Sequence, residues 1–273
     1  MTYRLYERPG LLDRIGVGLQ KEGKSLATVT LDDLAAVDEF HLRGPAATNA
    51  LIEMLDVKVG ASVLDAGCGL GGPARRLAQS KGCNVTGVDL SREFCTVGNQ
   101  LTAAVGLDTL VELHVGNVTD LTRFNDNAFD AAWTVHVGMN IADKAAFYGE
   151  IWRVLKPGAP FLIYDVLAGS DLQNLIFPLP WAADQSSSFL ISKNDLTECL
   201  TLAGFNITHI HDWTTTALAF ITAGVAKIQI NGQSPLGLHL VLGPIAKEAL
   251  PNISKNLEDG RLHVSVFECE KAT

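Results

Sequence analysis

The chain has no excess of positive charge, no long apolar run and no cysteines at metal-binding spacing. Lys and Arg number 21 against 30 Asp and Glu, a net charge of −9. That balance argues against general binding to a phosphate backbone, which needs clustered Lys and Arg, so no nucleic-acid partner is expected. The most apolar run, from Ala217 to Ala226, is too short and too mixed to span a bilayer. No membrane partner is expected either. The five cysteines (68, 83, 95, 199 and 269) contain no C-x-x-C and no Cys/His ligand pattern. Their odd number fits reduced thiols, and no metal site is expected. The first residues, Met1 to Arg8, are charged and lack an apolar signal core, so the cytoplasm is the expected location.

What is present is a 273-residue chain that is 47 % hydrophobic, enough for one α/β domain with additions. Its organising stretch is Val63-Leu-Asp-Ala-Gly-Cys-Gly-Leu-Gly-Gly-Pro73. A short apolar run ends at Leu64, glycines follow at 67, 69, 71 and 72, and Pro73 opens a helix. Glycines at a strand-to-helix turn let the backbone turn sharply and admit a ligand against it. Gly67, Gly69 and Gly72 with Asp89 also satisfy a dinucleotide pattern. Asp65 separates the two readings. A carboxylate there repels a pyrophosphate but suits the cationic amino-acid end of S-adenosylmethionine. The alternative, a nicotinamide-dependent reductase, is disfavoured on that ground.

Residues 1–60 read as a helical cap, with a capping-box start at Thr30-Leu-Asp-Asp33 and a second helix from Pro45. From 61 to 213, strands and helices alternate, which predicts parallel pairing, right-handed crossovers and ligand sites at the carboxyl ends of the strands. Residues 214–261 read as an insertion or lid, and 262–273 as the last strand. The strand ends supply a list of candidates: the glycine loop, Asp89, Gly116-Asn117-Val118 and His136.

At these residues the chain resembles the class I S-adenosylmethionine-dependent methyltransferases. Within them it is most similar to the sarcosine/dimethylglycine N-methyltransferase group. The marks are Asp38-x-Phe-His-x-x-Gly44 with Ala47-Thr48, the glycine loop through Arg75, Gly87-Val-Asp-Leu90, and Met139-Asn-Ile-x-Asp-Lys144. Arg153-Val-Leu-Lys-Pro-Gly158, Pro178-x-Pro-Trp181 and Ser188-Phe-Leu190 complete them. The resemblance implies an α/β, Rossmann-like doubly wound sheet of seven strands. It would be mostly parallel with the last strand antiparallel, an N-terminal helical cap and a helical insertion before that strand.

The resemblance also implies S-adenosyl-L-methionine as cofactor. Asp65, Gly67 and Gly69 would surround its methionine part. Asp89 with Leu90 would hold the ribose, Asn117 with Val118 the adenine, and His136 would lie at the methyl end. Phe40, Arg43, Met139, Asn140 and Trp181 would face the acceptor, with Arg43 the one nearby cation for a carboxylate.

Methyl transfer from a sulfonium is an in-line displacement that asks the protein mainly to align a lone pair with the methyl carbon. An amine that arrives neutral needs no strong base, whereas a hydroxyl or carbon acceptor usually does. His41 and His136 are the candidate catalytic residues; a structural tie of the cap, or a bond to backbone, is the alternative for each. The expected acceptor is a small-molecule amine such as sarcosine or dimethylglycine. Oxygen, sulfur or carbon methylation of another metabolite (a quinone precursor, a thioether acid, a natural product) is the alternative. The segments 167–191 and 214–261 read either as a cover over the site or, for the second, as a homodimer contact.

Overall fold

The computed structural model describes residues 8–273. Three helices come first: α1 (Leu11–Lys21), α2 (Leu31–Asp38) and α3 (Pro45–Met54). The capping box at the head of α2 forms, with Thr30 N–H donating to Asp33 Oδ2 (2.9 Å) and Asp33 N–H to Thr30 Oγ1 (3.4 Å). The alternating core follows: β1 (Ser62–Ala66), α4 (Gly72–Lys81), β2 (Asn84–Asp89), α5 (Arg92–Ala104), β3 (Val111–Val115), β4 (Ala131–Val135), α6 (Lys144–Val154) and β5 (Pro160–Ala168). Then come α7 (Lys193–Leu202), β6 (Phe205–Asp212), α8 (Thr214–Asn231), α9 (His239–Leu242), α10 (Ala246–Glu258) and β7 (Leu262–Lys271). No described helix is long and apolar enough to cross a membrane.

The seven strands form one sheet in the order β3-β2-β1-β4-β5-β7-β6. Its first five are parallel neighbours, and β7 runs antiparallel to both β5 and β6. This is the seven-stranded, mostly parallel α/β sheet expected from the sequence. The order reverses beside β1, so the ends of β1 and β4 open onto a crevice. Strands buried on both faces are mostly apolar, as in β4 (Ala131-Ala-Trp-Thr-Val135), where the one polar side chain, Thr134, donates to the Ala66 carbonyl. One apolar cluster lies under α3 and α4 and continues to Trp181, Ile221 and Ile253. A second, around Phe147, Phe161 and Leu200, fills the opposite face.

The cap is anchored by charge. Arg75 on α4, fully buried, donates to Asp38 Oδ2 at 2.6 Å, to the Gly98 carbonyl at 3.1 Å and to Thr102 Oγ1 at 3.0 Å. The neighbouring Arg76 donates to Glu39 Oε1 at 2.8 Å. Two adjacent arginines on one helix thus grip two adjacent acids at the end of α2. Removing one partner of such a pair strands the other charge in the interior. Arg75→Met is expected to cost about 3–5 kcal/mol of stability in urea denaturation. A loss near the surface-pair level, under about 1 kcal/mol, would show that Asp38 can shed its charge at little cost.

Candidate active site

A cavity of about 670 Å³ opens at the crevice, within the range of small-molecule sites. Its floor comes from the strand ends. Asp65 is the penultimate residue of β1, and the sheet register sets it beside Gly87 of β2 and Trp133 of β4. The carboxyl is buried, and neither its Oδ2 nor the Trp133 indole nitrogen has a hydrogen-bond partner among the described residues. Burial pushes Asp65 up to about 7; the neighbouring indole N–H opposes the shift and the charge of Asp89 adds to it. An orphaned acid facing a cavity is a site for a cation.

The glycine loop explains its own composition here. Gly67 has φ 87°, and a Cβ on it would meet Val137 at 2.3 Å. Gly69 has φ 54°, and a Cβ on it would lie 3.0 Å from the Phe40 ring, which the cap lays across the loop. At the end of β2, Asp89 accepts the N–H of Gly69 at 2.9 Å and that of Ser91 at 2.8 Å. Burial raises its pKa, against the pull of those two donors. One oxygen lone pair on each side therefore remains for diol hydroxyls of a ligand.

At the end of β4, His136 takes a left-handed backbone, φ 55°, uncommon for a non-glycine residue and a form of strain that clusters at functional sites. Its N–H is held by the Tyr164 carbonyl at 2.7 Å. Its Nε2 is buried without a partner among the described residues. The ring centroid lies 4.6 Å from Tyr164 and 6.0 Å from His41. Burial lowers the basicity of both histidines, His41 to about 4, so both are neutral at pH 7. Tyr164 spends its hydroxyl on the Leu42 carbonyl, at 2.9 Å. It ties the cap to the sheet.

The roof comes from the insertions. Trp181 is buried with its indole donating to Ser188 Oγ at 3.1 Å. Lys144 holds the same loop by donating to the Phe189 carbonyl at 2.7 Å, and Phe189 N–H donates to the Met139 carbonyl at 2.9 Å. Beyond these, Phe220, Ile221, Leu242, Leu250 and Ile253 of α8–α10 wall the far end.

Of the residues expected from the sequence, Phe40, His41, Asp65, Gly67, Gly69, Asp89, Leu90, Val118, His136, Met139, Asn140 and Trp181 all line this one cavity. Two do not. Arg43 turns away, its guanidinium stacked 4.1 Å over the Trp213 ring, where a cation–π contact holds it. Asn117 is exposed and spends its Oδ1 on the Thr119 N–H (3.1 Å), closing an Asx turn; only the next residue, Val118, reaches the cavity. Glu39, Ser91, Phe189 and the α9–α10 residues also belong to the site. A signal for Glu39 existed in its place between Asp38 and Phe-His41. For α9 and α10 the signal was coarse: both fall in the 214–261 insertion, which reads as a cover over the site.

Known proteins resemble this chain over its core. Residues 64–163 match the family model described as a methyltransferase domain. The 24-methylenesterol C-methyltransferase 2 of Arabidopsis thaliana is 34 % identical over 114 residues, 42 % of this chain and 31 % of that protein. The glycine/sarcosine/dimethylglycine N-methyltransferase of Actinopolyspora halophila is 37 % identical over 114 residues, 42 % of this chain and 20 % of that one. This chain spans about a third to a half of the length of the first curated relatives it matches. Among solved structures, the [4+2]-cyclase SpnF superposes with a TM-score of 0.68 at 23 % identity, covering 84 % of this chain and 81 % of that one. The resemblance to class I S-adenosylmethionine-dependent methyltransferases therefore holds over the core.

The raised Asp65 carboxyl has a consequence for stability. A folded-state pKa above the unfolded one favours the fold below about pH 4, and that contribution is lost as pH rises through about 7. Asp165, also pushed up to about 7 by burial, acts in the same window. In the ligand-free protein, Asp65→Asn is therefore expected to match wild type at pH 4 and exceed it by roughly 2–4 kcal/mol at pH 8. Urea titrations at the two pH values measure the difference.

Proposed function

We propose that this protein is an S-adenosylmethionine-dependent methyltransferase acting on a predominantly apolar small molecule. The observation that carries the first half is the orphaned Asp65 carboxyl at the head of a glycine loop, one strand from the Asp89 carboxylate. The residues fit the cofactor: Asp65 would take the ammonium group, Asp89 the ribose hydroxyls, and Leu90 and Val118 the flanks of the adenine. When bound, the cofactor supplies an electrophilic methyl group on a sulfonium.

The acceptor follows from what lines the other end. Among the described residues around the cavity there is no Lys or Arg, and the walls contributed by α8–α10 are aliphatic and aromatic. The carboxylate of sarcosine or dimethylglycine finds no cationic partner there, because Arg43, stacked over Trp213, does not line the cavity. An acceptor that buries hydrocarbon gains about 25 cal/mol per Å² removed from water. The 24-methylenesterol C-methyltransferase and the sarcosine enzyme each match 114 residues of this chain, so the apolar lining carries the preference and the amine is kept as the comparison arm of the test.

Titration calorimetry and a coupled assay for released S-adenosylhomocysteine test both halves. S-Adenosylmethionine is expected to bind and NADH not to. Turnover is expected with polyprenyl or sterol-like acceptors and not with sarcosine or dimethylglycine; the reverse pattern returns the amine. Because Asp65 must be ionised to hold an ammonium, cofactor affinity is expected to fall about tenfold from pH 8 to pH 6. Asp65→Asn should bind roughly 10- to 100-fold more weakly at pH 8 and lose the pH dependence.

A further inference from the structure

His41 is held from behind by a chain of buried polar groups. Its Nε2 lies 3.1 Å from the Gly44 carbonyl and 3.1 Å from Thr48 Oγ1. A carbonyl can only accept, so Nε2 carries the ring proton. Thr48 Oγ1 in turn donates to Glu39 Oε2, so toward His41 it acts as an acceptor. Glu39 is completed by Arg76, which donates to its other oxygen at 2.8 Å and is itself joined to Asp32 at 3.0 Å. Glu39, His41 and Thr48 are all buried. With Nε2 protonated, Nδ1 keeps its lone pair, and it forms no hydrogen bond among the described residues although His41 lines the cavity.

We propose that Thr48 and Glu39 are positioning residues that fix His41 as the Nε2–H tautomer, making its Nδ1 the proton acceptor of the methyl-transfer site. The inference rests on the methyltransferase reading. It also narrows the acceptor to one that sheds a proton, from O–H, N–H or an acidified C–H, as its new bond forms. A bond forms between the acceptor atom and the methyl carbon while the methyl–sulfur bond breaks, and that electron pair stays on sulfur. The proton leaves the acceptor for Nδ1. The positive charge thus passes from sulfonium to imidazolium. The Glu39 carboxylate, through the Thr48 hydroxyl, stabilises that imidazolium from the far side. This is the division of labour of an acid–histidine pair with a hydroxyl interposed. The groups facing His41 are His136 from β4 and Tyr164 from β5, with Arg43 beyond Tyr164 over Trp213. None of them hydrogen-bonds to Nδ1: the His136 and Tyr164 rings lie 6.0 and 6.1 Å from that of His41 between centroids, and Tyr164 donates its hydroxyl to Leu42.

The test uses the full chain labelled with ¹⁵N at the histidine rings, His41 being assigned by the signal lost in His41→Asn. In wild type at pH 7 the spectrum should show a protonated Nε2 and a bare Nδ1. Thr48→Val, which keeps the shape and removes the hydroxyl, should mix the tautomers. It should also lower kcat about 10- to 100-fold, with cofactor affinity and acceptor KM within about twofold. Thr48→Ser should restore both. A protonated Nδ1 in wild type, or a Thr48→Val protein with wild-type spectrum and kcat, overturns the proposal. If Thr48→Val does not fold, Glu39→Gln, judged by the same spectrum and kcat, takes its place. Failure of the methyltransferase reading is separate: wild type then releases no S-adenosylhomocysteine, the base role falls, and the spectrum still decides the relay.

Discussion

The site depends on the ion pair between Arg75 and Asp38. Burying two charges is costly; the close contact and the Gly98 and Thr102 oxygens, which both accept from Nη1, offset part of that cost, while Arg75 Nε and Asp38 Oδ1 have no partner among the described residues. What the pair achieves is positional. It fastens the end of α2 onto the first turns of α4, directly behind the glycine loop. The next residues, Glu39, Phe40, His41 and Leu42, are then delivered in order to Arg76, Gly69, Thr48 and Tyr164. A segment of seven residues is fixed at almost every position, and it forms one wall of the cavity.

Much of the floor was legible in the sequence because its signals are local. Asp65 and the glycines lie within seven residues, and Asp89 follows at the end of the next strand, so chain spacing maps directly onto space. The sheet, its order of elements and the cap at Thr30 were readable for the same reason. Where side chains choose between two local partners, the reading fails. Asn117 closes its own turn and Arg43 finds Trp213, some 170 residues away in the chain. Neither choice leaves a mark on the residue itself.

The roof was harder still. Helix α8 is apolar on nearly every side (Ala217-Leu-Ala-Phe-Ile-Thr-Ala-Gly-Val-Ala226), so no periodic stripe tells which face looks inward. The structure shows Ala217 and Ile221 buried, and Phe220 and Ile228 partly exposed beside the cavity they help to line. The link from His41 through Thr48 to Glu39 is short in sequence but crosses a sharp bend at Arg43 and Gly44, both at positive φ. Only the folded bend brings residues 39 and 48 together.

The matched methyltransferase domain, residues 64–163, contains Asp65, Asp89 and His136, yet neither the cap wall at 38–44 nor the roof of α8–α10. The cavity is therefore assembled from two inheritances. The shared core carries Asp65, the glycine loop, Asp89 and His136, while the segments on either side of it in the chain supply the cap wall and the roof. Likeness over 114 residues, 42 % of this chain, accordingly reaches a sterol enzyme and an amine enzyme at 34 % and 37 % identity and does not separate their acceptors.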